Sequence, residues 1–139
     1  MSDLVATITK EIEINRPKEF IWDAIRDVGA IHKRLVSGFV VDCRLDGDWR
    51  TVTFANGMVA RELIVDVDAR TCRHSWSARS SHLTHHNASV QVFSTAPDRS
   101  RIVWIADLMP SEIAPAIAEM IQQGLNAMKK TLESGAPNA

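Results

Sequence analysis

Tyrosine is absent from this chain of 139 residues, and cysteine occurs only twice. Without tyrosine no phenolic hydroxyl is available, so an aromatic pocket here has to be built from the four tryptophans and four phenylalanines. Cys43 and Cys72 are too few for a disulfide framework and lack CxxC spacing, so both are read as reduced. Neither sign of charge is in excess, with 16 basic residues against 17 acidic ones. That balance argues against a nucleic-acid partner, which would need a basic surplus gathered on one face. No stretch approaches the roughly 18 apolar residues of a membrane span, and "MSDLVATITK" carries no apolar signal core, so cytoplasmic residence is expected. A Gly-rich phosphate loop, a GxSxG elbow and a recognisably spaced Cys–His pair are also missing.

What remains is an ordinary globular composition, 45% hydrophobic and 24% charged, over the length of one domain with one continuous core. We expect a single domain over 1–133, with the tail 134–139 ("SGAPNA") frayed for want of apolar anchors. "ATITKEIEI" reads as a strand, with Ile8, Ile12 and Ile14 on one parity. "NRPKEFIWDAIRD" reads as a helix, with Asn15 as N-cap, Pro17 in the first turn, and Ile21, Ala24, Ile25 and Val28 at helical spacing. Gly29 breaks it, and "AIHKRLV" forms a second short helix or an irregular turn. From Val36 to Leu108 six short β-rich runs follow one another through short connections, which predicts an antiparallel meander. Asn56-Gly57 marks a hairpin whose two central residues are expected at positive φ. From about Ser111 to Glu133, Ile113, Ile117, Met120, Ile121, Gly124, Met128 and Leu132 make one stripe of a long amphipathic helix.

Strand, two short helices, six strands and one long helix is an order that resembles the helix-grip fold of the START and birch-pollen-allergen (SRPBCC) superfamily. It resembles especially the bacterial polyketide cyclase/dehydrase-like branch. "INRPKEFIWDAIRDV", "RTVTFANG", "ELIVDVD", "RIVWIADLMP" and "GLNAMKKTLES" carry the resemblance, which runs from about residue 5 to 133. It implies an α+β fold: a curved seven-stranded antiparallel sheet around the C-terminal helix, with an apolar cavity between them. Such cavities hold lipids, hormones, polyketides and other hydrophobic molecules, some members being enzymes and many only carriers. The resemblance brings no universal catalytic motif. It implies a small hydrophobic partner, no cofactor and no metal, in a monomer or homodimer.

Within that frame nine residues are candidates for ligand contact. His74 and Trp76 share one face of "CRHSWSA" and are expected inward, opposite Arg73, Ser75, Ser77 and Arg79. Relatives of this branch often carry a tyrosine where Trp76 stands, so its indole N–H replaces a hydroxyl. Trp104 alternates with Ile102, Ala106 and Leu108 on a face expected inward. Met120, Gly124 and Met128 put adaptable or missing side chains on the helix stripe, which fits either a close helix–sheet approach or a gap left for a ligand. Arg61 belongs to the more apolar parity of "MVARELIVDV", which would drive it inward toward an anionic ligand group or Asp107, but the leading reading is an outward, solvated Arg61. His32 falls in the segment that caps the cavity mouth.

Three of the five histidines crowd into "HLTHH", residues 82 to 86. Zinc needs three or four converging ligands, and neither Asp nor Glu occurs between Asp68 and Asp98 to support them. On a strand His82 and His86 share a face that His85 opposes; the leading reading is a solvated hairpin loop, from which His86, alone or with His82, can reach the cavity rim while His85 meets water. The leading expectation is binding of a small hydrophobic or amphipathic molecule for transport or sequestration. The alternative is a cyclase- or dehydratase-like enzyme with His74, His86 and Arg61 as its polar groups, and a third is an interaction module whose cavity is filled by side chains.

Overall fold

The computed structural model describes residues 6–134. Strand β1 (Ala6–Ile14) leads through α1 (Lys18–Ile25) and the single turn α2 (Ile31–Arg34) into a six-strand meander. Its strands are β2 (Val40–Asp46), β3 (Trp49–Phe54), β4 (Val59–Asp68), β5 (Arg73–Arg79), β6 (His85–Ala96) and β7 (Arg99–Met109). A 3₁₀ turn over Ser111–Ile113 then enters the long helix α3 (Ala114–Ser134). The sheet order is β1-β7-β6-β5-β4-β3-β2, antiparallel at every pairing, so the first and last strands of the chain lie side by side. This is the helix-grip arrangement expected from the order of elements. The C-terminal tail lies outside the described residues from 135 onward.

Alternation decides which face is covered. Ile102, Ala106 and Leu108 of β7 and Ala88, Val90 and Val92 of β6 are buried on the concave side, facing Ile121, Leu125, Met128 and Leu132 of α3. Ile21 and Ile25 of α1 complete this core, both fully buried.

Two local expectations are corrected. Asn15 does not cap α1, which starts after an extended Pro17; the Asn15 backbone N–H instead donates to Glu133 Oε2 at 2.8 Å, because the far end of α3 comes back to this junction. At the β3–β4 hairpin only Gly57 has positive φ, 90°. The turn closes from Gly57 N–H to the Phe54 carbonyl, and Asn56 Oδ1 accepts the Met58 N–H, which suits an ordinary φ at Asn56.

Gly124 is where α3 passes over the Trp104 ring of β7. A β-carbon there would stand 2.8 Å from Cζ3 and 3.1 Å from Cη2 of Trp104, whose ring is braced edge-on by Trp76. A β-carbon on Gly29 would meet Leu45 Cδ1 at 2.6 Å, but Leu45 is half exposed and free to turn away. We therefore expect Gly124→Ala to lower stability by about 1–3 kcal/mol despite alanine's better helix propensity. Gly29→Ala should stay within about 0.5 kcal/mol of wild type. Urea titration of both variants checks the contrast.

Candidate functional site

The C-terminal half of α3 seals against the sheet, but its first half stands off from it. A cavity of about 440 Å³ lies beneath, bounded by the concave faces of β3 to β7 and by Ile113, Ile117, Met120 and Ile121. Ligand pockets commonly measure roughly 300–1,000 Å³. Its wall is almost wholly apolar, with Val52, Phe54 and Val90 on the sheet and Leu35, Val36 and Phe39 from the α2–β2 segment. Exposed Met58 and Val59 border it at the β3–β4 end, and half-buried Leu83 at the β5–β6 loop.

Four buried polar side chains interrupt this wall, Arg50, Glu62, His74 and His86, while Asn56, Ser80 and His82 stand at its more exposed edge. Arg50 and Glu62 stand opposite each other in the β3–β4 register. The guanidinium donates from Nε (2.8 Å) and places Nη2 2.7 Å away, both against Glu62 Oε1, while Nη1 donates to the Val28 carbonyl at 3.0 Å. The two charges therefore cancel inside the wall. Buried ions persist only when paired and hydrogen-bonded in this way. Arg50 also lies over the Trp76 ring at 5.7 Å.

His74 stacks on Trp76, with ring centroids 5.1 Å apart, and Trp76 meets Trp104 edge-to-face at 5.6 Å. Burial, helped by the nearby Arg50 charge, pushes His74 down to about 4. Burial likewise pushes His86 down to about 4, with its neighbour His85 adding to the effect. Both rings are neutral at pH 7.

Of the nine candidates, His74, Trp76, His86, Trp104, Met120 and Met128 line the cavity. In "HLTHH" His86 is buried on the wall and its strand neighbour His85 is exposed away from it, while His82, in the turn before β6, is exposed at the cavity edge. Among the described residues no three His, Cys, Asp or Glu side chains converge as metal ligands.

Three candidates do not line the cavity. Arg61 is exposed on the convex face, its guanidinium 4.5 Å from the Trp49 ring centroid, because the Arg50–Glu62 pair turns the other parity of β4 inward. A bulge between Ile64 and Asp66 then leaves Val65 and Val67 exposed, so the more apolar face of this strand is the outer one. Asp107, considered as its partner, accepts from the Thr7 hydroxyl at 2.6 Å instead. His32 is turned off the wall, since the one-turn helix α2 presents Ile31 and Leu35 to it. Gly124 is hidden behind Trp104, so its missing side chain accommodates that ring and leaves no gap. Ser75 and Ser77, expected to meet water, are buried; the Ser77 hydroxyl donates to the His86 carbonyl at 2.5 Å, and Arg79 reaches back over it.

Arg50 and Glu62 escaped sequence reasoning, although a signal existed. Arg50 shares the parity of Val52 and Phe54 in "RTVTF", and a cation on an apolar face requires a buried anion across the hairpin.

The two neutral histidines give stability a definite pH dependence. Unfolded, each takes up a proton near pH 6.5; folded, neither does so until about pH 4. The unfolded state binds more protons in between, so stability falls as pH drops through that window. Between pH 6.5 and 5 the loss should be roughly 2 kcal/mol per histidine. Urea unfolding at pH 7 and pH 5 should show it, and His74→Phe should remove about half of the difference.

A family model described as polyketide cyclase / dehydrase and lipid transport matches residues 5–133. No curated protein sequence matches the chain. Among solved structures, an uncharacterised protein from Bacillus thuringiensis superposes with a TM-score of 0.82 at 19% identity, over 91% of this chain and 98% of the other. Norcoclaurine synthase from Thalictrum flavum, in complex with dopamine and hydroxybenzaldehyde, follows at 0.74 and 15% identity, over 99% and 91%. A START superfamily protein from Mycobacterium smegmatis gives 0.70 at 13% identity, over 92% and 94%. At these identities the structures attest the fold, and the match across almost the whole sequence gives the lineage: the chain belongs to the polyketide cyclase/dehydrase and lipid transport family.

Proposed function

We propose that this protein binds a small hydrophobic or amphipathic molecule between its sheet and α3, and carries or sequesters it. The observation that supports this most directly is the wall itself: about 440 Å³ enclosed almost entirely by apolar side chains, with its one buried ion pair already neutralised. Burial of apolar surface drives occupation of such a space, and a few fixed polar groups orient the occupant. The polyketide cyclase / dehydrase and lipid transport family and a structural neighbour in complex with dopamine and hydroxybenzaldehyde support the same class of occupant.

The second reading is an acid/base enzyme acting on a polyketide-like or aromatic substrate in the same cavity. It is favoured by the presence of Glu62, His74 and His86 on one wall. Against it, Glu62 Oε1 is held by Arg50, and the two histidines attach to the sheet four residues apart in register, which is a poor arrangement for acting on one atom.

Native mass spectrometry of protein purified from its own host should reveal a retained small molecule. The apolar fluorophore N-phenyl-1-naphthylamine should bind in the micromolar range and quench the cavity tryptophans. Ile117→Trp, which fills the roof of the cavity, should weaken that binding at least tenfold with little change in Tm. An unchanged Kd in the folded variant would overturn the proposal.

A further inference from the structure

His74 and His86 are held by the backbone in opposite tautomers, and this has a consequence for what the cavity accepts. His74 Nδ1 lies 3.0 Å from the Asp66 carbonyl oxygen. A carbonyl only accepts, so Nδ1 carries the ring proton and Nε2 keeps a bare lone pair. That Nε2 is buried and meets no donor of the protein, on a side chain only 3% exposed. His86 is the reverse case. Its Nδ1 accepts the Ala78 backbone N–H at 3.0 Å, so in the neutral ring the proton sits on Nε2, which is a donor. Of the two histidines, His74 thus offers an acceptor and His86 a donor, each fixed by a neighbouring strand, while the Trp104 indole N–H is a further buried donor on the wall without a protein partner.

Their placement sets a length. The β5–β6 pairing runs as far as Trp76 and Ala88; two residues further along each strand the Ala78 N–H joins the His86 ring, and Ala78 follows His74 by four residues on the same face of β5. That is about 14 Å of strand between the two attachment points. Between them stands Trp76, stacked on His74, with Trp104 packed edge-on against it. The charge requirement is equally definite. Arg50 is taken up by Glu62 and the Val28 carbonyl, and both imidazoles are neutral, so no net charge on the wall awaits a counter-ion.

We infer that the cavity selects an uncharged, elongated, ring-bearing molecule that donates a hydroxyl to His74 Nε2 at one end and accepts from His86 Nε2–H at the other. Its flat body lies along Trp76. The unmet acceptor at His74 is the larger source of selectivity, because an occupant without a donor leaves a buried lone pair unsatisfied. This assignment rests on the binding function proposed above and adds a chemical class to it.

Three rigid fused-ring probes of one shape test it by titration calorimetry. Testosterone has a hydroxyl at one end and a ketone at the other, androstenedione has ketones at both, and androstane has neither. Wild-type protein should bind testosterone at least tenfold more tightly than androstenedione. His74→Phe, which keeps a flat ring on Trp76 but no lone pair, should bring that ratio within twofold. Equal affinity of wild type for the two steroids overturns the assignment. If N-phenyl-1-naphthylamine binds and no steroid does, the assignment fails and the binding function stands; if nothing binds, the binding function itself fails. A measurement independent of any variant is the long-range ¹H–¹⁵N spectrum at pH 7, which should show the Nδ1–H tautomer for His74 and the Nε2–H tautomer for His86. Finding one tautomer in both rings overturns the assignment directly.

Discussion

Arg16 grips the last turn of α3, donating from Nε to the Leu132 carbonyl at 3.0 Å and from Nη2 to the Glu133 carbonyl at 2.8 Å. Those carbonyls have no partner within the helix, and a cation there also opposes the negative end of the helix dipole. Lys129 donates to the Glu13 carbonyl, Glu133 accepts from the Asn15 N–H, and the Ser100 hydroxyl donates to the Arg16 carbonyl. Each of these contacts joins the helix end or the last strand to the junction of β1 and α1. The helix is thereby fastened at its C-terminal end, where Leu125, Met128 and Leu132 are buried, while the turns from Ala114 to Met120 are only half-buried. A straight rod pinned at one end over a curved sheet leaves a wedge of space at the other, and the cavity occupies that wedge.

Polarity inside the wedge is arranged so that nothing charged is left over. Arg50 and Glu62 neutralise each other across one strand pair, and burial keeps both histidines neutral. A buried ion pair adds little to stability over an apolar equivalent, because desolvation offsets the attraction. Its visible effect here is orientation: it sets the inward parity of β4 and brings a guanidinium over the Trp76 face. The aromatic wall is accordingly rigid, with His74 stacked on Trp76, Trp104 packed edge-on against that ring, and Gly124 closing it from behind. A rigid wall with fixed donors and acceptors recognises shape and hydrogen-bonding pattern without reorganising.

Membership of the family fixes the container and leaves the chemistry open, because the same fold carries both binding proteins and enzymes. What separates those outcomes is the convergence of titratable groups. Here the two histidines are spread along the β5–β6 pair and tied to separate backbone groups.

Elements and their order were legible in the sequence, since the period-2 runs, the long period-3.6 stripe of α3 and the turn residues are local signals. So were the inward positions of His74, Trp76 and Trp104 and the opposition of His85 to His86, because strand alternation alone decides them. The direction of Arg61 was not, and neither was the burial of Arg50 with Glu62. Both depend on which residue of a neighbouring strand stands opposite, a register that the chain acquires only when β3 and β4 pair. Gly124 shows the same limit: its spacing on the helix was plain, but that it makes room for Trp104 depends on how close α3 comes to β7. Local periodicity thus determined the secondary structure and the faces. The tertiary structure alone decided which charges meet, which ring nitrogens stay bare, and that half of α3 stands clear of the sheet, because those are contacts between segments distant in sequence.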